Sequence, residues 1–364
     1  MKKIIVLILI CFLFIQQEEQ IFAHSEDSSY TIVQTNSNTD YQTKEKLSKQ
    51  LQKYLNHSEW VDYNTTPGPT DFFIQHNNIT YSVHLNEGAI IDSVHKKAIV
   101  NISLPILRLL QDNYKTLKKH HYGEKKPWST VNGIIPKYEK FSILDIDTGL
   151  RFNVQRRAGA SHANVQPLTK EDTAIMKEIY NGKWSWDRRA IIVEKDSERL
   201  AASMHGMPHG RGAIQNNFPG HFCIHFFEST THASKKEDFA HSIMIKKAAG
   251  VWLENIQNMS PNEIVEAFII SVNQHDGFVL SSLLDSEDRK LLQNSTKDIE
   301  AIQHLKRLSP LPEKLHSDEL QLEIPIKVHI HKNETVVKTL RFPFYRETHL
   351  DRWKLNFENI LSQL

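Results

Sequence analysis

A lone cysteine lies among histidines in the stretch SMHGMPHGRGAIQNNFPGHFCIHFFESTTH, which runs from Ser203 to His232. This stretch contains five of the chain's 20 histidines, namely His205, His209, His221, His225 and His232. Cys223 is the only cysteine outside the first 11 residues. A thiol becomes an effective nucleophile when a nearby imidazole takes its proton or lowers its pKa. The pattern therefore predicts nucleophilic catalysis by Cys223 with a histidine partner.

The spacing around Cys223 predicts which side chains share its surroundings. In a strand, residues two apart face the same side, so His221, Cys223 and His225 would share one face, with Ile224 and Phe226 towards the core. Acyl transfer needs a nucleophile, a base and a place for the oxyanion. We expect Cys223 to supply the thiolate, His221 to take or share its proton, and backbone N–H groups next to the cysteine to hold the oxyanion. Such an activated thiol would ionise below the free value of about 8.5.

The same side chains also offer ligands for a metal ion. The pair His205-x-x-x-His209, together with Cys223 and its flanking histidines, supplies enough nitrogen and sulfur for zinc. Pro208 and Gly210 argue against a helical His-Glu-x-x-His site. The leading interpretation therefore includes no metal and no cofactor. Two alternatives stay open: a zinc-dependent hydrolase that uses the histidines, and a non-catalytic wall-associated protein that keeps the fold.

Strands and helices around this stretch must position its side chains. The patterns predict strands over residues 190–194, 200–204 and 222–227, which places His205 just past one strand end and Cys223 at the head of the next strand. A helix from Thr169 to Tyr180 is predicted to begin with a Thr169 cap. Further helices are predicted over residues 236–258, 261–274, 286–306 and 350–361, and an antiparallel hairpin over residues 320–331 and 335–342.

The sequence around Cys223 resembles the L,D-transpeptidase catalytic domain, which has the YkuD-like fold. Members of that family carry His-Gly at a strand end, a spacer, and then Ser/Thr-His-Gly-Cys followed by an apolar residue and Arg. Here His205-Gly206 matches the first part, and Gly220-His221-Phe222-Cys223-Ile224-His225 matches the second. The resemblance covers roughly residues 138–235. It implies that Cys223 forms an acyl-enzyme on peptidoglycan stem peptides, that His221 is its base, and that His205 and Gly206 line the pocket.

The motif departs from the family at Gly220, Phe222 and His225, where the family has Ser or Thr, Gly, and Arg. Phe222 must turn its ring away from the cleft or narrow the cleft. Replacing the arginine by His225 removes a fixed cation that would orient the carboxylate of an acyl donor, because histidine is charged only part of the time near neutral pH.

Three arginines on predicted loops are candidates for that missing cation, namely Arg156, Arg157 and Arg211. An arginine suits the role because its planar guanidinium pairs with a carboxylate through two parallel hydrogen bonds. We expect Arg157 to be the main substrate-binding cation, with Arg156 and His225 contributing.

Charge and the N-terminal pattern bear on location and partners. The net charge of +1 and the pI of 7.8 give no reason to expect a nucleic-acid partner. Lys2 and Lys3, the apolar run over residues 4–15 and a cleavage site before His24 are typical of a secretion signal. We predict a signal peptide over residues 1–23, with an uncleaved anchor as the alternative. The mature protein is then expected to be secreted or cell-wall associated, with no stable membrane span.

The rest of the chain predicts an α+β multidomain protein. A small α+β module is expected over residues 24–120, a linker over 121–136 and a mainly β L,D-transpeptidase-like catalytic domain over 137–258. A second α+β module is expected over 259–364, and it loosely resembles the NTF2-like fold. The sequence leaves the oligomeric state open.

Overall fold

The structure, a computed structural model, describes residues 30–36, 39–231, 235–315 and 318–364. The predicted signal peptide over residues 1–23, residues 24–29 and His232 lie outside the described residues. The described chain is a mixed α/β protein with three sheets, one of which closes into a barrel. None of the helices in these ranges is long and apolar enough to cross a membrane.

The first sheet has seven antiparallel strands: β1 (Thr31–Gln34), β2 (Thr43–Lys46), β3 (Val61–Asp62), β4 (Phe72–His76), β5 (Ile79–His84), β6 (Ala89–Asp92) and β7 (Lys97–Ile99). Their order in the sheet is β2-β1-β4-β5-β6-β7-β3. Two helices accompany the sheet, α1 (Lys49–His57) and α2 (Leu104–His121). Ile32, Leu51 and Leu110 belong to the apolar core that this sheet and these helices share.

The second sheet is a closed six-stranded barrel, formed by β8 (Lys140–Asp145), β9 (Arg151–Ala158), β10 (Ala163–Pro167), β11 (Arg188–Lys195), β12 (Glu198–His205) and β13 (Phe222–His225). The strand order around the barrel is β10-β13-β12-β11-β8-β9. Helix α4 (Lys170–Ile179) follows β10 and begins with the predicted Thr169 cap, completed as a capping box with Asp172. The barrel interior is filled by alternate strand residues such as Phe152, Ile191 and Phe222.

Residues 121–136, expected to be a linker, include a short helix and side chains that pack in the barrel core. Helix α3 (Trp128–Ile134) lies in this segment, and Trp128 and Val131 belong to the barrel core. Glu124 makes a parallel bridge to Leu200 of β12, and Pro127 makes one to Phe227, which follows β13. The Pro, Gly and Lys content of this segment is typical of a linker, but its Trp and Val side chains are buried against the barrel.

The C-terminal part consists of helices followed by a four-stranded sheet in the order β14-β15-β16-β17. The helices are α5 (Phe239–Ala248), α6 (Trp252–Asn255) with a 3₁₀ turn (Ile256–Asn258), α7 (Pro261–Asn273), α8 (Gly277–Ser282), α9 (Ser286–Asn294), α10 (Thr296–Glu300) and α11 (Phe357–Leu361). The strands are β14 (His304–Arg307), β15 (Gln321–His331), β16 (Thr335–Tyr345) and β17 (Lys354–Leu355).

One apolar core joins the C-terminal part to the barrel. Barrel residues Leu144 and Ile192 point outward and pack in the same cluster as Trp252, Phe268 and Phe342. A buried ion pair network reinforces this contact, since the Lys247 ammonium lies 2.9 Å from a carboxylate oxygen of Asp147 and 2.7 Å from one of Asp276. The expected boundary between residues 258 and 259 therefore falls inside a shared core.

Candidate active site on the outer face of the barrel

The candidate site lies on the outer face of β12 and β13. Along β13, Phe222 and Ile224 are buried in the barrel interior, as the alternation predicts for Ile224, so Cys223 and His225 face outward. Phe226 also belongs to the barrel core. Phe222 is fully buried, and its ring packs beside Phe152 inside the barrel rather than over the cleft.

The strand register brings the outward side chains together in rows. Asn164 of β10 is paired with Cys223, and the pairs Ser203–His225 and Met204–Ile224 join β12 to β13. Continuing the β12–β13 pairing by one residue places His205 opposite Cys223. Side chains directly opposite in an antiparallel pair have Cβ atoms about 5 Å apart. Outward side chains that are far apart along the chain therefore lie close together on the sheet.

His209 supplies the imidazole that contacts the thiol. Its Nε2 lies 3.3 Å from Cys223 Sγ, and the amide oxygen of Asn164 lies 3.5 Å from the same sulfur. The Nδ1 of His209 is 3.2 Å from the carbonyl oxygen of Met207. Because a carbonyl only accepts, Nδ1 carries a proton, and in the neutral ring Nε2 presents its lone pair to the sulfur.

His221, the expected base, occupies a different place. Its Nδ1 donates to the Arg211 carbonyl at 3.3 Å, and its ring meets the ring of His209 edge-on at 4.4 Å between centroids. The backbones of His209 and His221 exchange two hydrogen bonds, of 3.0 and 2.9 Å. The imidazole in contact with Cys223 thus belongs to His209, and the His221 ring packs edge-on against that ring.

Glycines allow the loop between β12 and β13 to fold back on itself. Gly210 has φ +62°, and a Cβ there would come within 2.4 Å of the His221 ring. Gly220 has φ +132°, and a Cβ there would come within 2.5 Å of the His209 carbonyl oxygen. A side chain at either position would both strain the backbone and separate the two histidines.

Burial sets the protonation state of the site. It raises the pKa of the Cys223 thiol to about 12, opposite to the lowered pKa that an activated thiol would have. It also lowers the pKa of His205 to about 2, assisted by the neighbouring His209 and Arg188. At rest Cys223 is therefore a neutral thiol, and the His205 imidazole beside it is also neutral.

His225, expected to bind substrate, is buried under helix α5. Its ring stacks on His241 of that helix at 3.9 Å and on His162 at 4.4 Å. Only 4% of its surface is exposed. His241 in turn makes a 2.8 Å hydrogen bond between its Nδ1 and the Ser203 hydroxyl. His225 is thus enclosed by other imidazoles, and its position does not suit contact with a substrate carboxylate.

Arg156, which was expected to bind substrate, has a buried guanidinium that contacts the protein itself. It donates to the Ile135 carbonyl, the Gly159 carbonyl and the Asn132 side-chain oxygen, each at 2.7 Å. The guanidinium carbon lies 4.7 Å from the centre of the Trp128 ring. These contacts satisfy the charge and close the end of β9 against α3.

Arg157 and Gly206 also have structural contacts. The Arg157 guanidinium donates to the side-chain oxygen of Gln155 and lies over the Tyr138 ring, 5.2 Å from its centre. A Cβ on Gly206 would come within 2.5 Å of the Tyr180 ring, so a glycine is needed for this packing. Arg211 is exposed on the same loop as His209.

Sequence reasoning missed Asn164 and the role of His209 at the thiol. The Trp186 ring lies 4.7 Å from that of His205 and 5.8 Å from that of His209, and about half of the residue is exposed. The His205-x-x-x-His209 spacing was the available signal for His209. No signal along the chain pointed to Asn164, because its contact depends on the pairing of β10 with β13.

Comparisons with protein-family models and curated sequences do not assign a function to this site. No protein-family model matches the chain, and a search of curated proteins finds no similar sequence. The function must therefore be argued from the residues and geometry of the site.

Proposed function

We propose that this protein is a cysteine-dependent acyltransferase that resembles L,D-transpeptidases and acts on peptidoglycan stem peptides through a Cys223 acyl-enzyme. The observation that carries the proposal is the 3.3 Å contact between Cys223 Sγ and His209 Nε2. The substrate class comes from the motif resemblance, and secretion to the cell wall comes from the N-terminal pattern. The family assignments of the barrel and of the C-terminal module belong to the same proposal.

The chemical step begins from the neutral Cys223 thiol. As Sγ attacks the carbonyl carbon of the acyl donor, the thiol proton passes to His209 Nε2, whose lone pair faces the sulfur. His209 then gives this proton to the leaving amine as the carbon–nitrogen bond breaks, which leaves a thioester. An acceptor amine or water attacks the thioester and loses a proton to His209, and the departing sulfur takes that proton back.

Two further side chains suit the needs of this reaction. Asn164 holds its amide group beside the sulfur, and its Nδ2 protons are donors suited to a developing oxyanion. Trp186 lies beside His205 and His209 with about half of its surface exposed, which provides an apolar wall for a peptide. The role in acyl transfer first expected of His221 passes to His209, and His221 supports the His209 ring.

Arg211 is the arginine best placed to replace the missing cation of the motif. It is exposed on the loop that carries His209, and its own carbonyl holds His221. Arg156 is buried in the protein, and Arg157 is held by Gln155 and Tyr138. We therefore propose that Arg211 binds the carboxylate of the acyl donor.

Turnover of a diaminopimelate-containing tetrapeptide tests this proposal. The parent protein should release the terminal amino acid, and Cys223→Ala should be inactive. Arg211→Ala should lower kcat/KM by about 10-fold or more, since a charge-assisted hydrogen bond contributes about 1.5–3 kcal/mol. Arg157→Ala is the matched control and should retain the parent value. Turnover by Cys223→Ala would refute the acyl-enzyme, and equal kcat/KM for Arg211→Ala and the parent would refute the carboxylate assignment.

A further inference from the structure

Three potential metal ligands converge beside the thiol. One nitrogen of His205, one nitrogen of His209 and Cys223 Sγ all lie within 4.8 Å of one another. His205 is 4% exposed, and its buried Nδ1 has no hydrogen-bond partner within the described ranges. Buried polar atoms are paired in most native structures, so an unpaired imidazole nitrogen at this place calls for a ligand.

The chemistry of these ligands favours zinc. Two imidazoles and one thiolate form a nitrogen and sulfur set of the kind that holds catalytic zinc, with a fourth position left open. The set contains no carboxylate, which Mg²⁺ and Ca²⁺ require. Zinc bonds of about 2.0–2.3 Å place tetrahedral ligand atoms about 3.3–3.7 Å apart, so the cluster would need to contract by about 1.5 Å at most. The pair Cys223 and His209, at 3.3 Å, already has the required separation.

The surroundings of His209 also fit a metal ligand. Zinc-binding histidines usually donate their second ring N–H to a carbonyl or carboxylate, which fixes the ring orientation. His209 does this through Nδ1 and the Met207 carbonyl. Trp186 packs against both imidazoles and limits access of water from one side. This preorganised ring and this apolar cover distinguish the cluster from a chance group of surface histidines.

We propose that His205, His209 and Cys223 bind one zinc ion, and that zinc binding and acyl transfer exclude each other. As the sulfur–zinc bond forms, the thiol proton leaves to the solvent, and the zinc uses the lone pairs that attack and proton transfer would need. The exclusion rests on the acyltransferase function proposed above, whereas zinc binding itself does not. Free zinc would then hold the protein in a non-acylating state.

Zinc binding is measured directly, by competition with a chromophoric chelator on the full chain freed of metal. One equivalent of zinc should bind to the parent. Cys223→Ser and His205→Asn should each weaken zinc binding by about 100-fold or more, because losing a ligand costs at least as much as losing a residue that supports a ligand. His209→Gln is a second ligand variant, on the loop, for use if the buried His205→Asn unfolds. The exposed His57→Gln is the matched control and should bind like the parent. Mg²⁺ should not compete.

A cobalt spectrum and alkylation separate this site from adventitious binding and from the acyltransferase proposal. Co²⁺ in place of zinc should give a sulfur-to-cobalt absorption band that Cys223→Ser lacks. Zinc should protect Cys223 from iodoacetamide, and a chelator should restore alkylation. Binding that survives in Cys223→Ser and His205→Asn, or zinc that leaves Cys223 alkylation unchanged, would overturn the site. Tight zinc binding together with unimpaired peptide turnover would overturn the exclusion alone.

Discussion

At the scale of single residues, the thiol of Cys223 lies between an imidazole nitrogen of His209 at 3.3 Å and the amide oxygen of Asn164 at 3.5 Å. The cysteine itself could be chosen from the sequence because it is alone and surrounded by histidines. Its partner could not, because closeness along the chain favoured His221. The loop folds back at Gly210 and Gly220, and this conformation brings His209 to the thiol. It depends on contacts between backbone segments that are distant along the chain.

Arg156 gives a prediction at this scale. Arg156→Ala should lower the free energy of unfolding by more than about 2 kcal/mol, because it leaves the buried Ile135 carbonyl and the partly buried Gly159 carbonyl without this donor. Chemical denaturation measures this loss.

Arg157→Ala is the matched control for that measurement. Its guanidinium contacts Gln155 and Tyr138 at a partly exposed position, so the expected change is within about 0.5 kcal/mol. Equal stability of Arg156→Ala and the parent would contradict the structural role that we give to Arg156.

At the scale of elements, β13 presents two faces with different tasks. Phe222 and Ile224 fill the barrel, while Cys223 and His225 face outward towards β12 side chains and helix α5. The period of two predicted this division for Cys223, His225 and Ile224. It left the direction of Phe222 open, and the structure places that ring in the core, 5.8 Å from the ring of Phe218.

Phe222→Gly tests the buried position. Removing a buried phenylalanine costs about 3–5 kcal/mol, so the variant should melt well below the parent. The loss should appear in thermal and denaturant unfolding, since the cavity lies in the barrel core. Leu350→Ala is the control, because Leu350 is 98% exposed and should change stability by less than about 0.5 kcal/mol. An unchanged melting temperature for Phe222→Gly would place the ring outside the core.

Several elements could be predicted from local pattern, and others could not. The capped helix α4, helix α7 with its Ser260-Pro261 start, and the β15–β16 hairpin follow the predicted bounds closely. The predicted helix over residues 286–306 is instead α9, α10 and the strand β14. Apolar spacing there fits a helix, but pairing of residues 304–307 with β15 stabilises a strand, and such pairing cannot be seen locally.

At the scale of the whole molecule, three of the barrel strands, β8, β11 and β12, pack apolar side chains on both faces. One face forms the barrel interior, and the outer face of β8, β11 and β12 forms a common core with the C-terminal helices and sheet. The mixed α and β content was predictable from composition and periodicity. The domain limits were not, because an outward apolar residue such as Ile192 does not reveal which later segment will cover it.

Buried histidines in the N-terminal part give the molecule a pH-dependent stability. Burial lowers the pKa of His84 to about 4 and that of His121 to about 3, each with a smaller contribution from a nearby arginine. The unfolded chain takes up these protons near pH 6.5, so it binds more protons than the folded chain below that pH. The contribution of these neutral histidines to stability is therefore fully present above pH 6.5 and is lost as the pH falls towards 4.

The change in the free energy of unfolding per pH unit can be predicted. Each such histidine lowers the free energy of unfolding by up to about 1.4 kcal/mol per pH unit over this window. His84→Gln should make the dependence between pH 6.5 and 4 shallower, because glutamine carries no titrating group. The exposed His57→Gln should leave it unchanged. Denaturant unfolding at a series of pH values measures both, and identical slopes for His84→Gln and the parent would contradict the account.

Acylation of Cys223 by a carbapenem, followed by intact mass, tests the central claim most directly. From the resemblance, such β-lactams are expected to acylate the cysteine. The parent should gain one adduct, and Cys223→Ala should gain none. His209→Ala should react about 100-fold or more slowly, as expected for loss of a general base, while His221→Ala should react within about 10-fold of the parent. A parent protein without an adduct, or a Cys223 that reacts at the parent rate in His209→Ala, would contradict the Cys223–His209 pair.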